Sequence, residues 1–170
     1  MQEFVSSFAA GFAHPLHGAD HLLAMMAVGV WGAMAGSRAI RVWPMAFVAT
    51  MLAGFATAAA GFAVPLVEPA IWSSVVVLGL MVALAMKAPF GWGAAIIGLF
   101  AFFHGHAHGT EVASASLTGY ASGLAVATGA LHAAGIGLCR AAGGSGGAVA
   151  LRAMGAVVAL GGILAMVALT

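Results

Sequence analysis

Apolar residues run through long stretches of this chain, without a strand's two-residue alternation or a soluble helix's one-sided stripe. Breakers and charges divide it into six apolar segments. The first spans about 16–36 and stops at Ser37-Arg38-Ala39-Ile40-Arg41; the second spans 45–63 and stops at Pro65, Glu68 and Pro69. The third spans 70–86 and stops at Lys87-Ala88-Pro89, and the fourth spans 91–108. The fifth, 112–139, ends at Arg140 and the glycine-rich stretch 143–147; the sixth spans 148–169. Each is near the ~20 residues that cross a bilayer. The pattern therefore predicts an all-α polytopic bundle of six transmembrane spans, one integral membrane domain over residues 1–170. The fifth segment would reach about 42 Å as a straight helix, so it should tilt, kink or protrude. Residues 4–13 are apolar but too short to cross, and Pro15 disfavours helical geometry at His14. They read as a short outer helix or the first half of a broken one.

Composition removes the other classes. The chain is 64% hydrophobic and 5% charged with a net charge of +1, against about 25% charged in an ordinary soluble domain. Too few polar residues exist to cover a soluble surface, and the five Lys and Arg are too scattered for a nucleic-acid footprint. The unalternating runs argue against a β-barrel. Cys139 is the single cysteine, which excludes an intrachain disulfide and reads as a small buried residue. Twenty-five glycines suit close helix packing, with Gly32/Gly36 and Gly119/Gly123 as small-residue pairs.

Charge sets the orientation. Arg38, Arg41, Lys87, Arg140 and Arg152 all fall on one side of six alternating spans, and Glu3, Glu68 and Glu111 on the other. The positive side should be cytoplasmic, which places both termini outside. Met1-Gln2-Glu3 reads either as a true start or as the remnant of a removed leader. Glu68, between Pro65 and Pro69, reads as a solvated loop charge.

The chemistry concentrates in histidine. Six of the seven histidines, with Asp20 and Glu111, lie in two strings: His14-Pro15-Leu16-His17-Gly18-Ala19-Asp20-His21, and Phe103-His104-Gly105-His106-Ala107-His108-Gly109-Thr110-Glu111. Ionisable groups at membrane depth are costly and are functional candidates by default. Both strings fall at the outer side. Helical spacing puts His14, His17 and His21 on one face, with Asp20 bordering it. It aligns His104, His108 and Glu111 on another, with His106 off that stripe unless the backbone unwinds. Imidazole and carboxylate without thiolate suit a borderline divalent ion such as Ni, Co or Zn. The metal-ligand candidates are His14, Asp20, His21, His104 and Glu111, with His17, His106 and His108 as further ligands or an outer vestibule. Met25 reads as packing, with a thioether ligand as the alternative. His132, toward the inner side of the fifth segment, reads as an interhelical hydrogen-bonding residue.

At these strings the chain resembles the HupE/UreJ family of membrane proteins, nickel permeases associated with hydrogenase and urease maturation. The family pattern of His, five residues, Asp-His is met by His14, Asp20 and His21. Its Phe-His-Gly and Gly-x-Glu frame is met by Phe103, His104, Gly105, Gly109 and Glu111. The resemblance covers nearly the whole chain. It implies a secondary transporter for Ni(II), with Co(II) or Zn(II) as other cargoes, and a leader removed from a mature form. The expectation is a multi-pass permease of the bacterial inner membrane with periplasmic termini, not an enzyme. Its partners are a divalent transition-metal ion, the lipid bilayer and optionally a second copy of the chain. No prosthetic cofactor is expected, and no phosphate loop for ATP is present. Three alternatives stay open. One is a membrane-embedded zinc hydrolase using the same cluster. Another is a b-type haem protein with axial His21 and His132. The third is a metal sensor that does not transport.

Overall fold

A computed structural model describes residues 1–112 and 115–168. The described residues form helices and no strand: α1 (Gln2–His17), α2 (Ala19–Ala35), α3 (Ser37–Ala59), α4 (Val67–Ala83), α5 (Phe90–Glu111), α6 (Leu117–Ala141) and α7 (Gly144–Ala168). By length and composition α3, α5, α6 and α7 can each cross a membrane, and α1 with α2 pass the same test as one span bent by 83°. Helix α4 is apolar and 17 residues long, at the short end of the crossing range of about 17–25. Positions 113–114 of the fifth segment and 169 of the sixth lie outside the described residues.

Helix α2 occupies the centre. It packs against α1, α3, α4, α6 and α7, while α1 lies on α6, α3 on α5 and α4 on α7. Its buried residues go round its circumference: Ala24, Met25, Val28 and Trp31 on one side, Ala27, Gly29 and Val30 on the others. A helix that is apolar on every face has no solvent-facing side to present, so its central place follows from its sequence. The helix pairs touch backbone to backbone through glycine. In the α3–α5 pair, a Cβ on Gly54 would strike the Phe102 carbonyl, and one on Gly105 the Met51 carbonyl. Without a hydrophobic force between helices in lipid, such close approach supplies the packing.

The ends of the bundle differ in chemistry. At one end Trp31 Nε1 donates to the Met86 carbonyl (2.9 Å), Arg152 Nε donates to the Ala83 carbonyl (2.8 Å), and the Arg38 guanidinium lies 4.2 Å from the Phe90 ring centre. This is the arginine end. The other, the histidine end, carries the two histidine strings. Helix α1 belongs to it: Ser7 Oγ accepts from the Ser116 amide (3.2 Å), and Gly119 and Gly123 sit beneath Phe4 and Phe8.

Several boundaries differ from the sequence expectation. The first and second segments are joined by Gly36 alone, at φ +110°, so α3 begins at Ser37 and carries Arg38 and Arg41 within its first turns. Gly36 is therefore a turn residue with open space around it, not half of a packing pair. Gly119 and Gly123 do pack closely. Pro15 lies inside α1 and does not end it at His14; the chain breaks three residues later, at Gly18. Within the last turn the proline forfeits one hydrogen bond, and the direction changes where no Cβ stands in the way.

Candidate metal centre

The bend at Gly18 builds the site. It aims the carboxyl end of α1, with His14 and His17, and the amino end of α2, with Asp20 and His21, at one place. The last two turns of α5 bring His104, His108 and Glu111 along a single stripe, at i, i+4 and i+7. The amino end of α4 adds Glu68, and its third turn adds Ser74. Helix carboxyl ends favour cations and amino ends favour carboxylates. Here the carboxyl ends of α1 and α5 carry His14, His17, His104 and His108, and the amino ends of α2 and α4 carry Asp20 and Glu68, while His21 in the first turn of α2 and Glu111 at the end of α5 depart from this sorting.

The imidazoles pack edge-on or tilted against one another. The His14 and His108 ring centres are 4.8 Å apart, those of His21 and His108 4.4 Å, and those of His21 and His104 4.7 Å. Near the mouth, His14 Nε2 lies 3.3 Å from Glu111 Oε2. One ligand atom each from His14, His108 and Glu111 falls within 4.8 Å of the others, a spread that one divalent ion can gather with small rotations.

Hydrogen bonds fix two of the rings. The Ser74 hydroxyl donates to the Ile71 carbonyl (2.6 Å), so toward His104 Nε2 at 2.8 Å it must accept. The His104 proton is then on Nε2, and Nδ1 carries a bare lone pair. Asp20 Oδ1 lies 2.9 Å from His21 Nδ1; a carboxylate accepts there, so in the neutral ring that a metal ion requires the lone pair is on His21 Nε2. Both bare atoms, and both nitrogens of His108, are buried with no hydrogen-bond partner. A buried polar atom left unsatisfied costs about 1–3 kcal/mol. Several in one cluster are the donor set that an electron-pair acceptor such as a transition-metal ion satisfies. Carboxylate or hydroxyl partners on the far nitrogen are also what orients ligating histidine.

A cavity of about 570 Å³ leads to the cluster, lined by His14, His17, Asp20, His21, Glu68 and Glu111 among others. Glu68 thus lines the cavity and belongs to a helix rather than a loop, because α4 begins at Val67 and takes it into its first turn, where it remains exposed. Of the sequence candidates, His14, Asp20, His21, His104, His108 and Glu111 come together. His17 stays on the His14 side of α1 and lines the cavity, as a vestibule residue would, but the bend takes it off the face of His21; its Nδ1 lies 2.8 Å from the Ala13 carbonyl. His106 faces another side of an unbroken α5, where Nε2 donates to the Phe62 carbonyl (2.9 Å). Ser74 was not anticipated. The serine pair 73–74 in an otherwise apolar segment was its only signal.

The sequence model of the family described as HupE / UreJ protein matches residues 1–165. Protein HupE of Rhizobium leguminosarum bv. viciae is 44% identical over 159 residues, covering 93% of this chain and 83% of that relative. No solved structure matches the chain. These matches lend no support to the hydrolase alternative. By the extent of the family match and the identity to this relative, the chain belongs to the HupE/UreJ family.

Proposed function

We propose that this chain is a secondary transporter that takes up Ni(II), with Co(II) as a second cargo, across the bacterial inner membrane. The observation that carries the reading is the pair of buried imidazole nitrogens without a hydrogen-bond partner, His21 Nε2 and His104 Nδ1, each on a ring whose other nitrogen has a fixed partner. The histidine end faces the periplasm, since the positive residues gather at the arginine end; both termini are then periplasmic. A hydrated divalent ion enters the cavity, where Asp20, Glu68 and Glu111 offset its charge. His14, His108 and Glu111 take it first, as water is shed. His21 and His104 take it deeper, with Asp20 and Ser74 holding their rings. Imidazole favours Ni(II), Co(II) and Zn(II) over hard Mg(II) or Ca(II).

The test is metal flux into proteoliposomes with Ni, Co and Zn compared. The wild-type chain should accumulate nickel, and His21→Ala and His104→Ala should lower the initial rate at least about tenfold while the protein remains in the bilayer. Equal rates in both variants, or no flux with the wild type, would refute the proposal.

A further inference from the structure

Far from the cluster, α6 carries a histidine that nothing in the site uses. His132 lies about 22 Å along α6 from Leu117, toward the arginine end. It is 1% exposed, and both of its ring nitrogens are buried without a hydrogen-bond partner. A neutral imidazole carries one donor and one acceptor, and here neither is met. The interhelical hydrogen bond expected from the sequence is therefore not what holds this residue.

What His132 does have is one aromatic neighbour that it shares with the cluster. The Phe47 ring stands edge-on to His132 at 5.0 Å between centres, and its centre is 6.0 Å from that of His104. A single phenyl ring thus separates the deepest imidazole of the cluster from His132. One turn from each partner lies a further donor atom. Thr128, four residues before His132, places its hydroxyl 3.5 Å from the sulfur of Met51, four residues after Phe47. Both are fully buried. The imidazole thus lies beside Phe47, and one turn nearer the cluster lie a hydroxyl and a thioether bonded to each other. A groove of about 440 Å³ between α3 and α6 is lined by Pro44, Val48, Leu52 and His132.

We infer that His132 is a second metal-binding station, on the inner side of a Phe47 gate, which receives a borderline divalent ion from His104. The inference rests on the transport reading and adds the route by which the ion leaves the cluster. His132 supplies the ligand, Met51 and Thr128 lie one helical turn away, and Phe47 must swing for the ion to pass.

The experiment measures binding and flux separately. Purified chain in detergent is titrated with Co(II) as a spectroscopic probe and with Ni(II) for stoichiometry. The wild type should bind two ions of unequal affinity. A His21→Ala/His108→Ala variant should keep the weaker one, and adding His132→Leu should remove it. In proteoliposomes His132→Leu alone should leave binding at the cluster intact yet slow nickel uptake at least tenfold, and His132→Cys should restore part of it. Thermal stability separates this role from a structural one. Removing two unpartnered polar atoms leaves the midpoint of His132→Leu unchanged or raised, whereas loss of a structural contact lowers it. The station is overturned if His132→Leu carries nickel at the wild-type rate, or if the weaker ion does not depend on residue 132. Absence of wild-type flux would refute transport, and the binding titration would still decide the station.

Discussion

A hydroxyl and a carboxylate decide which nitrogens face the metal cavity. Because the Ser74 proton is committed to the Ile71 carbonyl, His104 must donate from Nε2 and offer Nδ1. Ser74→Ala removes that constraint and leaves a buried N–H unpaired. Equilibrium nickel binding to the purified variant should weaken by about tenfold or more, as is usual for loss of a partner that orients a ligand. His106 makes the contrasting case. Its bond to the Phe62 carbonyl ties the segment before α4 to α5, so His106→Ala should cost about 1–2 kcal/mol of stability and leave nickel affinity unaltered. Thermal unfolding in detergent beside a binding titration checks both halves. At this scale the stripe of His104, His108 and Glu111 was legible from spacing alone. The tautomers were not, since they depend on a serine from another helix. His17 was aligned with His21 because helical period was carried across Gly18, where the helix stops; it lines the cavity from α1 instead.

Among elements, the bend and the glycine contacts carry the architecture. A Cβ at Gly18 would lie 2.8 Å from Asp20 Oδ1 and 3.0 Å from His21 Nδ1. The backbone there, φ −90° and ψ 116°, admits any residue, so Gly18→Ala tests the crowding and not the turn. It should fold, yet push apart the Asp20–His21 pair and reduce nickel uptake severalfold. Gly105→Ala tests the α3–α5 contact. Alanine normally favours a helix over glycine by about 1 kcal/mol. Here the added methyl meets the Met51 carbonyl, a backbone atom that cannot turn aside, and overpacking of this kind costs about 1–3 kcal/mol. The net should be destabilising, seen as a lowered unfolding midpoint. Six apolar segments were evident in the sequence, and α2 to α7 follow them. The joint at Gly36 was hidden because Arg38 and Arg41 suggested a loop, whereas a single left-handed glycine makes the turn and lets both arginines enter α3.

For the whole molecule, single cysteines measure sidedness. In a Cys139→Ala background, Ser145→Cys lies at the exposed start of α7 and Gln2→Cys at the exposed start of α1. A membrane-impermeant maleimide should label the second in right-side-out vesicles and the first only in inverted ones. The reverse pattern would turn the histidine end toward the cytoplasm and make the chain an exporter by the same geometry. Charge distribution was enough to frame this expectation, because only nine charged residues exist and the positive ones sit together. What pattern alone withheld was the pairing of helices. That pairing depends on which glycine faces which carbonyl.

The central helix also has a history. Helix α2 is surrounded by α1, α3, α4, α6 and α7, yet it leaves the ribosome before α3 to α7. Its contact with α6, where Gly29 fits against the His132 carbonyl and Gly135 against that of Met26, must wait for α3, α4 and α5 to be made. At ordinary synthesis rates the delay is on the order of 10 s. During that time His21 and Asp20 have no cavity around them, and the insertion machinery or the lipid headgroups must shelter them. Assembly of the site is thus a late step in biogenesis, and a nascent chain cut before α6 should be an early target for membrane proteases.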